Sequence, residues 1–401
     1  MKFDFHKKIL KNGMVVLFEK RNVPVVSVAF AVRNGGINEE LHEKGISHFI
    51  EHMLYKGTPT RDAKKISEEI EKNGGVLNGF TDEAITAYWC KMPSKHISVA
   101  LNVLGDMVKN PLFNEKEFEK ERKVIFEEIK MRGDNPGIHA LDKIQELLYE
   151  EPLGAQLIGT YESMNSIKRD YMLKKFGEIY RPNNMILCVV GDASFDEIVK
   201  FAEKNFGNEK GKVPKLEVKT RNESHTEKRK GIDQSVLVFA YHVPNHADKK
   251  SHVAEVLSTL TAEGMSSRLF TEIREKRNLA YSISGGANIN KDFSYNYIKV
   301  GTTKENVEKV KSLILEEFKK VAKDFDEKEL NQVKEQIIGN ENISMEDSQT
   351  QMMSLLSNEI NGKAEDFYDF EKDIRGVKLE DVKKMAGNVE KAYSFFALVP
   401  E

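Results

Sequence analysis

The chain has 401 residues, 40% of them apolar, enough for well-packed cores but too long for a single one, so two or more domains are expected. A formal charge of −3 gives no long-range attraction to nucleic acid or anionic lipid, and neither is expected as a partner. Two cysteines, Cys90 and Cys188, exclude a disulfide framework and read as small buried residues.

The opening "MKFDFHKKILKNGM" has no apolar core of signal-peptide length, and no stretch approaches the ~20 apolar residues of a membrane span. A soluble, cytoplasmic protein is the expectation. "MVVLFEK" and "VPVVSVAFAVRNGG" are rich in β-branched residues between turn formers and predict strands. From Gly45 to Tyr55 the apolar spacing becomes helical, and "RDAKKISEEIEKNGG" predicts a second helix closed by Gly74 and Gly75. "AITAYWCKM" reads as a strand. "HISVALNVLGDMVKN" and the highly charged "NEKEFEKERKVIFEEIKMRG" read as helices, followed by the helix "DYMLKKFGEIY" and the buried strand "NMILCVVGD".

Residues 209–231 lose apolar periodicity and gain charge, Gly and Pro, which predicts an exposed linker between domains 1–208 and 232–401. Its basic residues alternate with glutamates and lack aromatics, which argues against nucleic-acid binding. The second half opens with the strand "QSVLVFAYHVP". It closes with a helix and strand, "GVKLEDVKKM…AYSFFALVPE", that echo "SIKRDYMLKKF…NMILCVVGD". Two copies of one α+β unit are expected, of which only the first carries a histidine pair.

That pair lies in "GISHFIEHMLYKGT". On a helix His48, Glu51 and His52 share a face, and two imidazoles at i and i+4 can reach one tetrahedral zinc. The order H-x-x-E-H is the inverted form of the zinc-protease motif. Ten histidines in such a chain give roughly 0.02 chance matches, so coincidence is a weak explanation. A third ligand should come from another rigid element, and the charged helix offers Glu121, Glu127 and Glu128. Glu121 and Glu128, two turns apart, face the same way, with Val124 and Ile125 between them predicting burial; Glu127 is rotated by about 100° and should be solvated. Taken alone, each of these glutamates reads as an exposed helix charge, and only the histidine motif shifts that reading.

"HFIEHMLYKGT" together with "EKERKVIFEEI" resembles the inverted-zincin metallopeptidases (pitrilysin- or insulinase-type, M16), especially the short branch that includes mitochondrial processing peptidase. The resemblance extends through "GGVLNGFTDEAITAYW", "RPNNMILCVVGD" and "EGMSSRLFTEIREKRNLAYSIS". It implies two homologous α/β-roll domains, antiparallel sheets flanked by helices, forming half of a clam-shell. It implies one zinc per chain on His48, His52 and Glu128, with Glu51 as general base and Glu121 supporting the ligands. Arg274 and Tyr281 match an Arg–Tyr pair that meets the substrate, with Arg268 and Arg277 as rivals lacking the family spacing. Asn78, Gly79, Phe80 and Thr81 match the strand on which a peptide substrate adds as a further strand. The family usually has Ala where Gly79 stands, and Gly where Asn278 stands; Asn tolerates left-handed backbone, so that turn should survive. Since the family closes its chamber with four such units, a homodimer with shared active sites is expected, acting on unfolded oligopeptides. Two rival readings are a maturase that trims leader peptides only with a partner, and a noncatalytic assembly subunit of the respiratory-complex core type.

Overall fold

The computed structural model describes residues 3–401. The chain forms two compact units that are not consecutive blocks. One comprises the chain up to Lys130, Ala155–Glu217 and Ser344–Glu365; the other comprises Met131–Gly154, Val218–Ile343 and Asp366–Glu401.

The first unit holds strands β1 (Phe5–Ile9), β2 (Val15–Lys20) and β3 (Val25–Val32), then helices α1 (Ile46–Leu54) and α2 (Ala63–Glu71). β4 (Val76–Thr81), β5 (Thr86–Pro93), α3 (Ile97–Lys109) and α4 (Glu115–Asp134) follow, α4 running past the boundary at Lys130. After α5 (Pro136–Leu148), which belongs to the other unit, come α6 (Tyr161–Ser166), α7 (Arg169–Ile179), β6 (Met185–Gly191) and α8 (Phe195–Asn205). The second unit continues with β7 (Ser224–Arg229), β8 (Ser235–His242), α9 (Ser251–Ala262), a π-helical turn (Phe270–Glu275), β9 (Ala280–Ile289) and β10 (Ser294–Thr302). Helices α10 (Val307–Asp324) and α11 (Glu327–Ser344) precede α12 (Ser348–Asn361), which returns to the first unit; α13 (Phe370–Gly376), α14 (Leu379–Val389) and β11 (Ser394–Pro400) finish the second.

The expected duplication is visible in the sheets. The first has the order β1-β2-β6-β3-β5-β4 and the second β7-β11-β8-β10-β9. Leaving out β1, the orders correspond strand for strand, and in each the only parallel pair described occupies the same place, β2 with β6 and β7 with β11. The fold is α+β with antiparallel-dominated sheets, as the sequence predicts.

Alternation along β3 explains how each sheet is covered. Val26, Val28, Phe30 and Val32 enter the core beneath α1 and α3. The opposite face carries Ser27, whose hydroxyl meets that of Ser348 on α12 at 2.9 Å, and Glu19 nearby on β2 accepts from Gln351 at 2.8 Å. In the second unit the corresponding face, β8 and β11, is covered by α5. Each sheet thus takes its outer helix from the other half of the chain, and a division into 1–208 and 232–401 does not describe the units. The stretch 209–231 also contains β7, an edge strand with the polar sequence SHTEKR that pairs with β11. β1, FHKKI, is polar for the same reason: as edge strands, both need bury little.

Both cysteines are buried and unpaired with each other. Asn278 has φ 52°, the left-handed geometry expected of it. No helix among the described residues is long and apolar enough to cross a membrane.

Candidate active site

α1 buries Ile46, Phe49, Ile50, Met53 and Leu54, which turns His48, Glu51 and His52 to its other face. Gly45 precedes the helix at φ 93°, where a side chain would be strained and would come 2.5 Å from the Ile158 carbonyl. The first turn's amides are capped by Glu39, whose two oxygens accept from Gly45 N at 2.8 Å and Ser47 N at 2.7 Å. Burial pushes the Glu39 carboxyl's pKa up, while Lys44 and these hydrogen bonds oppose the shift. Sequence reading missed Glu39; an acidic residue shortly before a glycine-led helix is the signal that could have found it.

α4 is clamped to α1 through aromatic stacking. Phe49 and Phe118 lie 4.7 Å apart with nearly parallel planes, and the Arg122 guanidinium covers the Phe118 ring at 4.8 Å. Arg122 is buried and donates to the carbonyls of Met164 and of Ile167, the latter at 3.0 Å. This anchoring fixes Glu121 and Glu128 against the histidines. Glu128 Oε2 is 3.5 Å from His48 Nε2 and 3.6 Å from His52 Nε2. On the other side of the His52 ring, Nδ1 lies 3.1 Å from Glu121 Oε2, and Glu121 Oε1 meets Lys56 Nζ at 2.8 Å. Glu127 is exposed, as expected. Val124 corrects the burial argument: it is 43% exposed, while Ile125 is fully buried, because the face shared by Glu121 and Glu128 lies at the margin of the α1 contact rather than beneath it.

One donor atom from each of His48, His52 and Glu128 lies within 4.8 Å of the others. Bonds of 2.0–2.2 Å in a tetrahedral shell put neighbouring donors about 3.3–3.6 Å apart. The two imidazole–carboxylate separations are therefore near those zinc requires, and the residues present fit it. Glu121 facing Nδ1 of His52 favours the tautomer that leaves Nε2 as a free donor.

Glu51 Oε2 accepts from Thr81 Oγ1 at 2.7 Å. Burial raises its pKa; the Thr81 hydrogen bond and His52 oppose the rise, and Glu128 adds to it. Thr81 ends β4, which forms one edge of the first sheet and pairs with β5, Asn78 opposite Trp89 and Phe80 opposite Ala87. The candidate substrate residues Asn78, Gly79, Phe80 and Thr81 thus lie on an edge strand beside Glu51. Gly79 is glycine for a local reason. A Cβ there would overlap Tyr55 Oη and stand 3.2 Å from Glu51 Oε1.

Arg274 and Tyr281 belong to the second unit. Arg274 lies in the π-helical turn with its guanidinium 4.8 Å from the Phe270 ring, and Tyr281, 58% exposed, lies on the edge strand β9. The rival arginines are engaged: Arg268 pairs with Glu317 and Glu329, and Arg277 with Glu272.

The model of the insulinase family (peptidase family M16) matches residues 14–161, which include all the first-unit candidates, and that of the peptidase M16 inactive domain matches 166–337. The uncharacterized zinc protease YmxG of Bacillus subtilis is 33% identical over 386 residues, covering 94% of this chain and 93% of that protein. The chain belongs to the M16 peptidase family, in its short branch. An uncharacterized zinc protease of Rickettsia bellii is 31% identical over 350 residues, covering 86% of this chain and 85% of its own. The crystal structure of a protease from Helicobacter pylori shares the fold at a TM-score of 0.91, with 23% identity across 99% of this chain and 100% of that one. In this M16 chain the histidine pair falls only in the first matched region, and the second matches a domain described as inactive.

Proposed function

We propose that the chain is a zinc-dependent endopeptidase acting on unfolded peptides. The observation that carries this reading is the convergence of His48, His52 and Glu128 with Glu51 on the same helix face. A zinc ion held by the three would supply Lewis acidity and lower the pKa of water.

Glu51 then acts as general base. It takes a proton from the attacking water and passes it to the departing amine, while Thr81 holds its second oxygen. An extended peptide adds to the free edge of β4 through main-chain hydrogen bonds, with Asn78 to Thr81 alongside the scissile bond. Arg274 and Tyr281 donate to the oxyanion that develops on the substrate carbonyl. Two chains form a cytoplasmic homodimer, each completing the other's site, around a chamber that admits unfolded peptides and excludes folded proteins.

Hydrolysis of an unfolded peptide by wild type and Glu51→Gln, with zinc content measured in both, tests the reading. Loss of a general base should cost about 10²–10⁴-fold in kcat with zinc retained. Equal activity in the two proteins would remove Glu51 as the base.

A further inference from the structure

α1 ends at Tyr55, whose ring turns beneath β4 with its centre 6.0 Å from that of Tyr88. Behind it, the hydroxyls of Tyr88 and Tyr180 satisfy each other at 2.8 Å. The Tyr55 hydroxyl is buried and has no hydrogen-bond partner among the described residues. Burial, then the nearby Glu51 charge, raises its pKa, so it stays a neutral O–H donor.

The hydroxyl occupies room that exists because residue 79 has no side chain. The position a Cβ would take at Gly79 is overlapped by Tyr55 Oη and lies 3.0 Å from the Ala87 carbonyl oxygen and 3.2 Å from Glu51 Oε1. The phenol hydroxyl therefore fills the space a β-carbon would take, beside the Ala87 carbonyl and one carboxylate oxygen of Glu51. Glu51 Oε2 is already held by Thr81, so the oxygen facing this space is the remaining one.

We propose that Tyr55 is a positioning residue for Glu51, its hydroxyl filling the space opened by Gly79 and packing behind the carboxylate. The inference rests on the peptidase reading above. It makes positions 55 and 79 a coupled pair, since the hydroxyl and a β-carbon cannot share the space.

The test uses four full-length proteins: wild type, Tyr55→Phe, Gly79→Ala and the double variant. Each is assayed for kcat and KM on an unfolded peptide, for zinc content, and for the melting temperature of its zinc-free form. Tyr55→Phe should lower kcat about tenfold, with KM and zinc content unchanged, the size expected for a slightly misplaced base. Gly79→Ala should lower the zinc-free Tm, and adding Tyr55→Phe should restore it. The double variant should nevertheless keep the reduced kcat of Tyr55→Phe. Wild-type kcat in either Tyr55→Phe or the double variant would overturn the proposal, as would a Gly79→Ala melting defect that Tyr55→Phe fails to relieve. A wild type without zinc-dependent hydrolysis would instead overturn the peptidase reading and this role with it.

Discussion

Glu121 Oε2 lies 3.1 Å from Nδ1 of His52, while Nε2 of the same ring faces Glu128 at 3.6 Å. One imidazole is therefore gripped on one nitrogen and presented on the other. A carboxylate behind a metal-binding histidine fixes both its orientation and its tautomer. Glu121→Gln should weaken zinc binding by about 10–100-fold with little change in the zinc-free Tm. Competition with a chelator measures the affinity; unchanged affinity would reduce Glu121 to a partner for Lys56.

The proposed sharing of sites between two chains can be tested by complementation. His48→Ala and Tyr281→Phe should each be nearly inactive alone. Mixed in equal amounts and allowed to exchange, half the dimers would be hybrids with one intact site in two, recovering about a quarter of wild-type activity. No recovery after exchange has been verified by native mass spectrometry would argue for a site completed within one chain.

Glu39 should matter beyond its distance from the metal, because it closes the start of the helix that carries both histidines. Glu39→Ala removes two buried acceptors from the Gly45 and Ser47 amides and should cost about 2 kcal/mol or more. Glu39→Gln, which keeps one acceptor oxygen, should recover part of that. Denaturant unfolding of the zinc-free proteins reads both; a Glu39→Ala protein as stable as wild type would show that the cap is dispensable.

Acid stability should depend on Glu272. Lys276, with Arg277 and Lys320, lowers its pKa from 4.5 to about 2. Because the folded value is depressed, the contribution is complete above the unfolded pKa and disappears as pH falls through the folded one. Glu272→Gln should therefore melt lower than wild type at pH 7, and the gap should narrow between about pH 4.5 and 2. Scanning calorimetry at several pH values checks this; a constant gap would place the effect in packing instead.

The parts legible in the sequence were those written in local periodicity. The apolar spacing of α1 exposed its polar face, and β3, β5, β6 and β8 declared themselves through runs of buried residues. β1 and β7 were hidden because edge strands carry charge where central strands carry valine. The role of Glu39 and the meeting of Tyr55 with Gly79 were also out of reach, since each is a contact between segments whose spacing encodes nothing about their encounter. Val124 shows the limit of helical periodicity: it gives the angle of a side chain but not how far the neighbouring element extends. For Arg274 and Tyr281, only resemblance singled them out from a segment that also holds Arg268 and Arg277.

The reciprocal exchange of α5 and α12 has a consequence for synthesis on the ribosome. All the residues proposed to hold zinc have emerged by residue 128, yet the helix that covers Ser27 and Glu19 begins only at Ser348. A truncated product ending before Ser344 would carry the histidines on a sheet with one bare face, open to aggregation or proteolysis. A fully covered first sheet, and with it the support of the proposed zinc site, is thereby deferred until α12 has been synthesised.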